Sequence, residues 1–412
     1  MDLIAPIPAQ KQSQATAYPA LFRNFIANNL RFVLADVQES ETLSAEQRRE
    51  GLQALDYGLA DPQSQPDFQS QADACALLLA LAPHLVRAGL RDEWQRYLER
   101  GLAVAPNPVT AAELVYHLGD LAQFQGHFAQ AESHFADSAA GLAAAGRMQK
   151  HARSLNRLAY VLRLQQRQPE AERLARQAIS LLGKADPEWA YSRFVLGTVA
   201  FDQRDDEAAV EHLSAALAAW EQSSDDERRA DERRADGLVN LAPALRRLHR
   251  YDEAIACLQE AGDFFARRQD PRRQALVHLN LSNIALSQAQ WEDALAFCRS
   301  AEPLFHQVGD ALHQAINYNN MGVACRRLGR LEQAERTFSL AIAGFEAMDQ
   351  PMHHINALDG LGNTYRDQGR YAEAARAYHK ALTRVAASPD PAALQHLAAE
   401  VREHLAGLPD GV

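Results

Sequence analysis

The chain has 412 residues, of which 47% are hydrophobic, and its formal net charge is −11. An acidic chain is a poor candidate for nucleic-acid binding, because such binding depends on neutralising phosphates. No stretch approaches the roughly 18 consecutive apolar residues that suggest a membrane span, and no basic region followed by an apolar run opens the chain, so we predict a cytoplasmic protein that does not bind membranes.

The N-terminal part of the chain is predicted to be helical but irregular. We assign residues 1–18 to a flexible segment, because prolines interrupt them. The region 19–72 contains two predicted helices, over 19–37 and 44–60, separated by a turn rich in Ser, Glu and Thr. The sequence DPQSQPDFQSQ, residues 61–71, is predicted to be a linker, because it is polar and lacks a helical pattern.

Residues 73–107 are predicted to form a degenerate helix pair. Gly89 lies at the expected turn of this pair, and Trp94 occupies a position where the later units have alanine. The pair therefore resembles the units that follow it without matching them closely.

Residues 108–388 repeat one unit seven times. The similarity is clearest between AINYNNMGVACRRLGRLEQA at 315–334 and INALDGLGNTYRDQGRYAEA at 355–374. A small residue recurs near the middle of each first helix at steps of 38 to 45 residues, namely Gly119, Ala159, Gly197, Ala242, Ser282, Gly322 and Gly362. Glycines that suit a helix C-terminus follow at Gly126, Gly329 and Gly369. A fixed period of this size predicts stacked helix pairs and an all-α fold.

These motifs resemble the tetratricopeptide repeat (TPR) family. The matching residues in the last unit are Leu361, Gly362 and Tyr365, followed by the G-x-Y-x-x-A motif that begins at Gly369, and by Tyr378 with Ala381. The period of about 40 is longer than the 34 residues usual for the family. It is similar to the repeats of kinesin light chains, spindle-orientation adaptors, Rap-type regulators and MalT-type regulators. The resemblance implies a right-handed superhelical α-solenoid of antiparallel helix pairs.

Two further segments stand apart from the repeats. The run DDERRADERRAD, residues 225–236, is predicted to be an extended, solvated helix with paired charges, and a docking site is the alternative. In the C-terminal region 389–412, the sequence 391–408 is predicted to form an amphipathic helix that caps the last repeat.

The resemblance also implies that the first helix of each repeat lines a concave groove. Groove positions at helical spacing are amide and guanidinium in repeats four to seven. The predicted peptide-binding residues there are Asn240, Arg246, Asn280, Asn283, Asn319, Asn320, Arg326, Asn356, Asn363 and Arg366. In repeats one to three the positions are aromatic, with Arg153, Arg157 and Arg163 among them. The predicted apolar anchors are Tyr116, Phe124, Tyr160, Tyr191, Phe194 and Phe201.

Each groove residue also has a structural interpretation. Asparagine amides suit an extended peptide backbone because they donate and accept hydrogen bonds, but they also suit ties between successive first helices. The arginines suit carboxylates of an acidic ligand, but they equally suit Glu and Asp inside the stack. Some of the aromatic residues can belong to the core rather than to the groove.

No catalytic motif is present, so we predict a non-enzymatic protein without a cofactor or metal. The sequence contains no phosphate-binding loop, no H-E-x-x-H and no G-x-S-x-G. The four cysteines show no metal-ligand spacing, and Cys257, Cys298 and Cys325 are interpreted as small apolar core residues. Low lysine content relative to arginine fits a bacterial source.

The predicted function is that of an adaptor that binds an extended, acidic segment of a partner protein. The alternative is a regulatory subunit that senses a ligand or peptide and switches a separate enzyme, such as a protease or a nucleotide-dependent enzyme. The sequence leaves the oligomeric state open.

Overall fold

The computed structural model describes residues 9–40, 43–59, 68–87, 91–222, 227–388 and 390–409. Within these ranges the chain forms nineteen α-helices and no strand, so the predicted all-α fold is confirmed. None of the helices in these ranges is long and apolar enough to cross a membrane. Gly89, the start of the charge run and most of the predicted linker lie outside the described residues.

The chain divides into two compact units, Met1–Gln203 and Arg204–Val412, called unit 1 and unit 2 below. The helices of unit 1 are α1 (Ala9–Glu39), α2 (Ala45–Gly58), α3 (Phe68–Arg87), α4 (Arg91–Ala103), α5 (Pro108–Phe124), α6 (Phe128–Ala144), α7 (Met148–Leu164), α8 (Gln168–Ser180) and α9 (Pro187–Asp202).

Unit 2 contains ten helices among its described residues. They are α10 (Asp206–Glu221), α11 (Glu227–Arg247), α12 (Tyr251–Arg267), α13 (Pro271–Ser287), α14 (Trp291–Val308), α15 (Ala311–Arg327), α16 (Leu331–Ala347), α17 (Pro351–Asp367), α18 (Tyr371–Ala386) and α19 (Gln395–Ala406). Helices that are consecutive along the chain from α10 to α19 pack against each other.

The N-terminal helices of unit 1 share one hydrophobic core. Leu30 of α1, Leu55 of α2 and Leu78 of α3 are fully buried, and Trp94 of α4 is 1% exposed. The large indole therefore fills space in this helix pair that smaller side chains fill in the later ones. Helix α1 begins at Ala9, inside the segment that the sequence analysis left outside the helices.

Small residues of the first helices lie under large residues of the second helices. A Cβ atom added to Gly119 would approach the Phe135 ring to 2.8 Å, and one added to Gly322 would approach the Phe338 ring to the same distance. Both rings are fully buried. At Gly119 and Gly322 a glycine is thus required because the partner ring occupies the space of a side chain.

The turn within each helix pair ends the first helix with one left-handed residue. This residue lies seven positions after the small residue in all seven units. Its φ angle is 77° at Gly126, 63° at Gln166, 67° at Arg204, 60° at His249, 59° at Ala289, 72° at Gly329 and 75° at Gly369. The predicted glycine caps are confirmed, and four repeats make the same turn without glycine.

The C-terminal helix α19 packs against α17 and α18. Leu397, Ala398 and Val401 are buried in that contact. The helix begins at Gln395, a few residues later than the predicted start. Its His404 Nδ1 lies 2.7 Å from Asp359 Oδ1 of α17, so a polar contact adds to the apolar one.

Candidate ligand-binding face

The predicted groove residues lie on the first helices of the repeats. We call the surface formed by α5, α7 and α9 the first-helix face of unit 1, and the surface formed by α11, α13, α15 and α17 the first-helix face of unit 2. Within unit 2, each of these four helices contacts the next one directly. Their side chains are therefore close enough to bond across the face.

Three arginines in equivalent positions donate to the following first helix. Each arginine lies four residues after the small residue of its repeat, and its acceptor lies five residues after the small residue of the next repeat. The distances are 2.6 Å from Arg163 Nε to Asp202 Oδ2, 3.1 Å from Arg246 Nη1 to Ser287 Oγ and 3.0 Å from Arg326 Nη1 to Asp367 Oδ2. We call each pair a clasp. Two of the clasps are ion pairs, whereas the acceptor of Arg246 is neutral.

Asn320 is engaged inside unit 2. Its Nδ2 donates to Asn283 Oδ1 at 2.8 Å and to Ser282 Oγ at 3.1 Å, and the residue is 6% exposed. Asn320 therefore ties α15 to α13. This is the structural interpretation that the sequence left open, and it also uses the amide oxygen of Asn283.

Asn363 and Asn240 are engaged as well. Asn363 Nδ2 donates to Asp359 Oδ2 at 2.9 Å, and its Oδ1 accepts from the Tyr378 hydroxyl at 3.2 Å. Asn240 Nδ2 donates to the carbonyl of Asp236 one turn earlier, at 2.8 Å. These amides hold the fold, and each has less capacity left for a ligand.

Three other asparagines of the same face are unengaged. In the part of unit 2 that the structure describes, no hydrogen bond holds the side chains of Asn280 on α13, Asn319 on α15 or Asn356 on α17. Asn356 is exposed, and the other two are half-buried. Arg366 is also only weakly held, with its Nε 3.9 Å from Asp367 Oδ1. Three successive first helices thus each carry an amide without a partner, although the Oδ1 atom of Asn319 is buried.

The first-helix face of unit 1 is organised around Arg157. Its guanidinium donates from Nε to the Tyr116 hydroxyl at 3.1 Å and from Nη1 to the Tyr191 hydroxyl at 2.9 Å. Asp120 Oδ1 lies 3.7 Å from the same Nε. One arginine of α7 therefore joins α5 to α9 through two phenols.

Burial and the arginines set the charges in this cluster. Burial, together with the guanidinium groups of Arg153 and Arg157, lowers the pKa of His117 to about 3, so its imidazole is neutral at pH 7. Burial raises the pKa of Asp120. The Arg153 guanidinium lies 4.2 Å from the centre of the Tyr116 ring, in a cation–π contact.

The predicted apolar anchors differ in exposure. Tyr116 and Phe194 are 4% and 8% exposed, so they are core residues in this structure. Tyr160, Tyr191 and Phe201 are half-buried. Phe124, at 57%, is the one predicted anchor with a mostly exposed side chain. The aromatic pattern in unit 1 therefore reflects packing around arginines more than an open apolar surface.

The charge run enters the first-helix face of unit 2. Its described part lies at the start of α11, and Arg273 of α13 pairs with Glu232 at 3.1 Å and with Asp236 at 2.8 Å. Burial raises the pKa of Asp236 to about 6 in spite of Arg273. The described part of the run is helical, and charges in it pair with a neighbouring helix.

The acceptors of the clasps were not among the predicted site residues. Asp202, Ser287 and Asp367 occupy one equivalent position in their repeats, next to the arginines of the preceding first helix. A comparison of repeats that lie two units apart would have shown them, because Arg246 and Ser287 correspond to Arg326 and Asp367.

These features define an α-helical repeat solenoid whose first helices carry polar side chains on a shared face. Tetratricopeptide repeat models match residues 151–185, 273–347 and 355–384. The chain is a tetratricopeptide-repeat protein. No curated protein sequence matches it significantly.

Solved structures with similar folds have low sequence identity to this chain. A Rap protein complexed with competence and sporulation factor is 18% identical over 80% of each chain, with a TM-score of 0.55. The apo quorum sensor NprR from B. thuringiensis is 11% identical over 82% of this chain and 99% of its own, with a TM-score of 0.59. A STAND ATPase with a tetratricopeptide repeat sensor from Pyrococcus horikoshii is 14% identical over 88% of this chain and 56% of its own, with a TM-score of 0.61. These similarities concern the fold alone.

Proposed function

We propose that the first-helix face of unit 2, within residues 235–370, binds an extended segment of a partner protein, and that the chain acts as a non-catalytic adaptor. The observation that carries this proposal is the division of the asparagines into two groups. Asn320 and Asn363 hold helices together, whereas Asn280, Asn319 and Asn356 have no partner in the described part of the chain.

The chemistry of the unengaged amides suits a peptide backbone. A carboxamide has two donors and one acceptor oxygen, and the peptide group offers one donor and one acceptor per residue. Asn319 can offer only its donors, because its Oδ1 atom is buried. Because the three amides lie on three successive first helices, an extended segment can bond to them one after another. A net contribution of roughly 0.5–1.5 kcal/mol per hydrogen bond makes several such bonds necessary for useful affinity.

The similar structures support a peptide ligand by their fold. The Rap structure is a complex with a competence and sporulation factor, and NprR is a quorum sensor. Both share the helical repeat architecture with this chain, so a face built from first helices is a reasonable place for a peptide.

The test is peptide selection followed by measured affinities. A library of random short peptides with free C-termini is selected on the full chain, and the strongest binder is labelled for fluorescence anisotropy. We expect the triple variant N280A/N319A/N356A to bind at least roughly ten-fold more weakly and to melt at the wild-type temperature.

N320A is the matched control for this experiment. It removes an amide of the same face that is tied to α13, so we expect a lower melting temperature. Wild-type affinity in the triple variant, or no selected peptide at all, would rule out the proposed face.

A second candidate function is a sensor subunit that switches a separate enzyme. It is supported by the fold likeness to a quorum sensor and to the sensor of a STAND ATPase. An adaptor holds its partner whether or not peptide is present, whereas a sensor changes its affinity for the partner by a coupling factor. Partner affinity measured with and without the selected peptide separates the two functions.

A further inference from the structure

The three clasps differ in the charge of their acceptor. Arg163 and Arg326 each donate to an aspartate, at 2.6 Å and 3.0 Å. At the equivalent position Arg246 meets Ser287, whose Oγ accepts at 3.1 Å. The second clasp therefore has the cation of the other two and lacks their carboxylate.

Among the described residues, no carboxylate forms an ion pair with Arg246. The nearby Asp206 pairs with Arg247. Burial is the main cause that lowers the pKa of Arg246, and the Arg247 guanidinium lowers it further. A half-buried guanidinium thus has no ion-pair partner in the described ranges, although the whole chain is acidic.

The hydrogen-bonding capacity of Arg246 is also largely unused. A guanidinium has five N–H donors, and the bond to Ser287 is the one side-chain hydrogen bond that Arg246 makes within the described ranges. The Ser287 hydroxyl donates to the Asn283 carbonyl at 2.9 Å, so the serine is fixed in place. A planar carboxylate can bind the remaining donors in a bidentate arrangement.

We propose that Arg246, beside Ser287, is the subsite that binds a carboxylate of the peptide ligand, in the position that aspartate fills in the two other clasps. The inference rests on the proposed function and makes it more specific. It locates the acidic residue of the ligand between α11 and α13. It also excludes Arg326 as the main contact, because Asp367 already pairs with that arginine.

The test supplies the missing carboxylate from the protein. In the variant S287D, an aspartate faces Arg246 as in the other clasps, and S287N is the neutral control of the same size. Peptides are selected from the same random library on the wild type and on both variants. We expect Asp and Glu to be enriched on the wild type and on S287N, and not on S287D.

Affinities then give the size of the effect. For an acidic peptide selected on the wild type, we expect S287D to bind roughly ten-fold more weakly, with a melting temperature no lower than that of the wild type. Replacing the acidic residue of the peptide by its amide should cause a similar loss on the wild type and little loss on S287D. Amidating the C-terminus of the peptide distinguishes a terminal carboxylate from a side chain.

The outcomes separate this inference from the proposed function. If S287D binds the acidic peptide as tightly as the wild type, or if the selected peptides contain no acidic preference, the Arg246 subsite is refuted and peptide binding to the face stands. If no peptide is selected on the wild type, both proposals are refuted.

Discussion

The first-helix faces of the two units use similar residues in opposite ways. In unit 1, Arg157 donates hydrogen bonds to Tyr116 and Tyr191, so its partners are side chains of the same face. In unit 2, Asn280 and Asn356 have no partner in the described ranges, and Arg246 has a neutral one. A polar residue on a repeat surface is therefore a ligand-binding candidate only if the next repeat does not provide its partner.

The comparison predicts the largest loss of stability when Arg157 is replaced. In R157A two phenols and Asp120 lose their shared partner, so we expect unfolding to require on the order of 3 kcal/mol less free energy. Urea denaturation of the full chain measures this loss. R153A is the control, because Arg153 contributes a cation–π contact to Tyr116, for which about 0.5–1 kcal/mol is typical. Equal losses in both variants would contradict the central role of Arg157.

The second prediction separates engaged from unengaged asparagines in unit 2. N320A removes an amide that is 6% exposed and leaves Oδ1 of the half-buried Asn283 without its donor, so we expect a loss of about 1–3 kcal/mol. N280A removes an amide without a partner and should change the free energy of unfolding by less than about 0.5 kcal/mol. Thermal and urea unfolding of the two variants test the division. It fails if N280A is as destabilising as N320A.

The same division shows what the sequence could predict. The helix pairs followed from periodic small residues because a small residue leaves room for the second helix, as Gly322 does for the Phe338 ring. Such pairs are separated by a fixed number of residues within one repeat, so a single sequence displays them.

Whether a groove residue has a partner on a neighbouring first helix could not be predicted in the same way. Arg246 and Arg326 occupy identical positions in their repeats, and their difference arises from Ser287 and Asp367 one repeat later. Asn319 and Asn320 are adjacent in sequence, yet only Asn320 points towards an acceptor on α13. Both distinctions depend on how successive first helices cross, which residue types alone do not specify.

The third prediction concerns pH and the start of α15. Asp310 caps this helix, and its carboxylate lies 2.9 Å from His313 Nδ1 and 3.1 Å from Arg272 Nε. The hydrogen bond from His313 holds the pKa of Asp310 below its usual value of 3.8. The folded state therefore binds this proton less readily than the unfolded chain. The resulting stability is complete above about pH 5 and declines progressively as the pH falls further.

The variant D310N tests this linkage. Asparagine can still cap the helix but cannot titrate, so we expect a loss of about 1 kcal/mol at pH 7 and a smaller difference from the wild type at pH 3. Urea unfolding at several pH values gives both curves. If the two curves stay parallel between pH 7 and pH 3, Asp310 does not contribute to the acid sensitivity.

The smallest effect is expected at the turns, where the two units share one geometry. Ala289 has a φ of 59° and Gly329 has 72° at the equivalent position one repeat later. Left-handed backbone costs a residue with a Cβ atom roughly 1–2 kcal/mol, and glycine loses part of that advantage through its greater flexibility in the unfolded chain. We therefore expect A289G to stabilise unit 2 by about 0.5–1 kcal/mol and G329A to destabilise it by a similar amount.

Nothing lies within 4 Å of a Cβ atom added at Gly329, so a loss of stability in G329A would report backbone conformation alone. If A289G is also destabilising, the methyl group of Ala289 contributes more to the turn than its strained backbone costs.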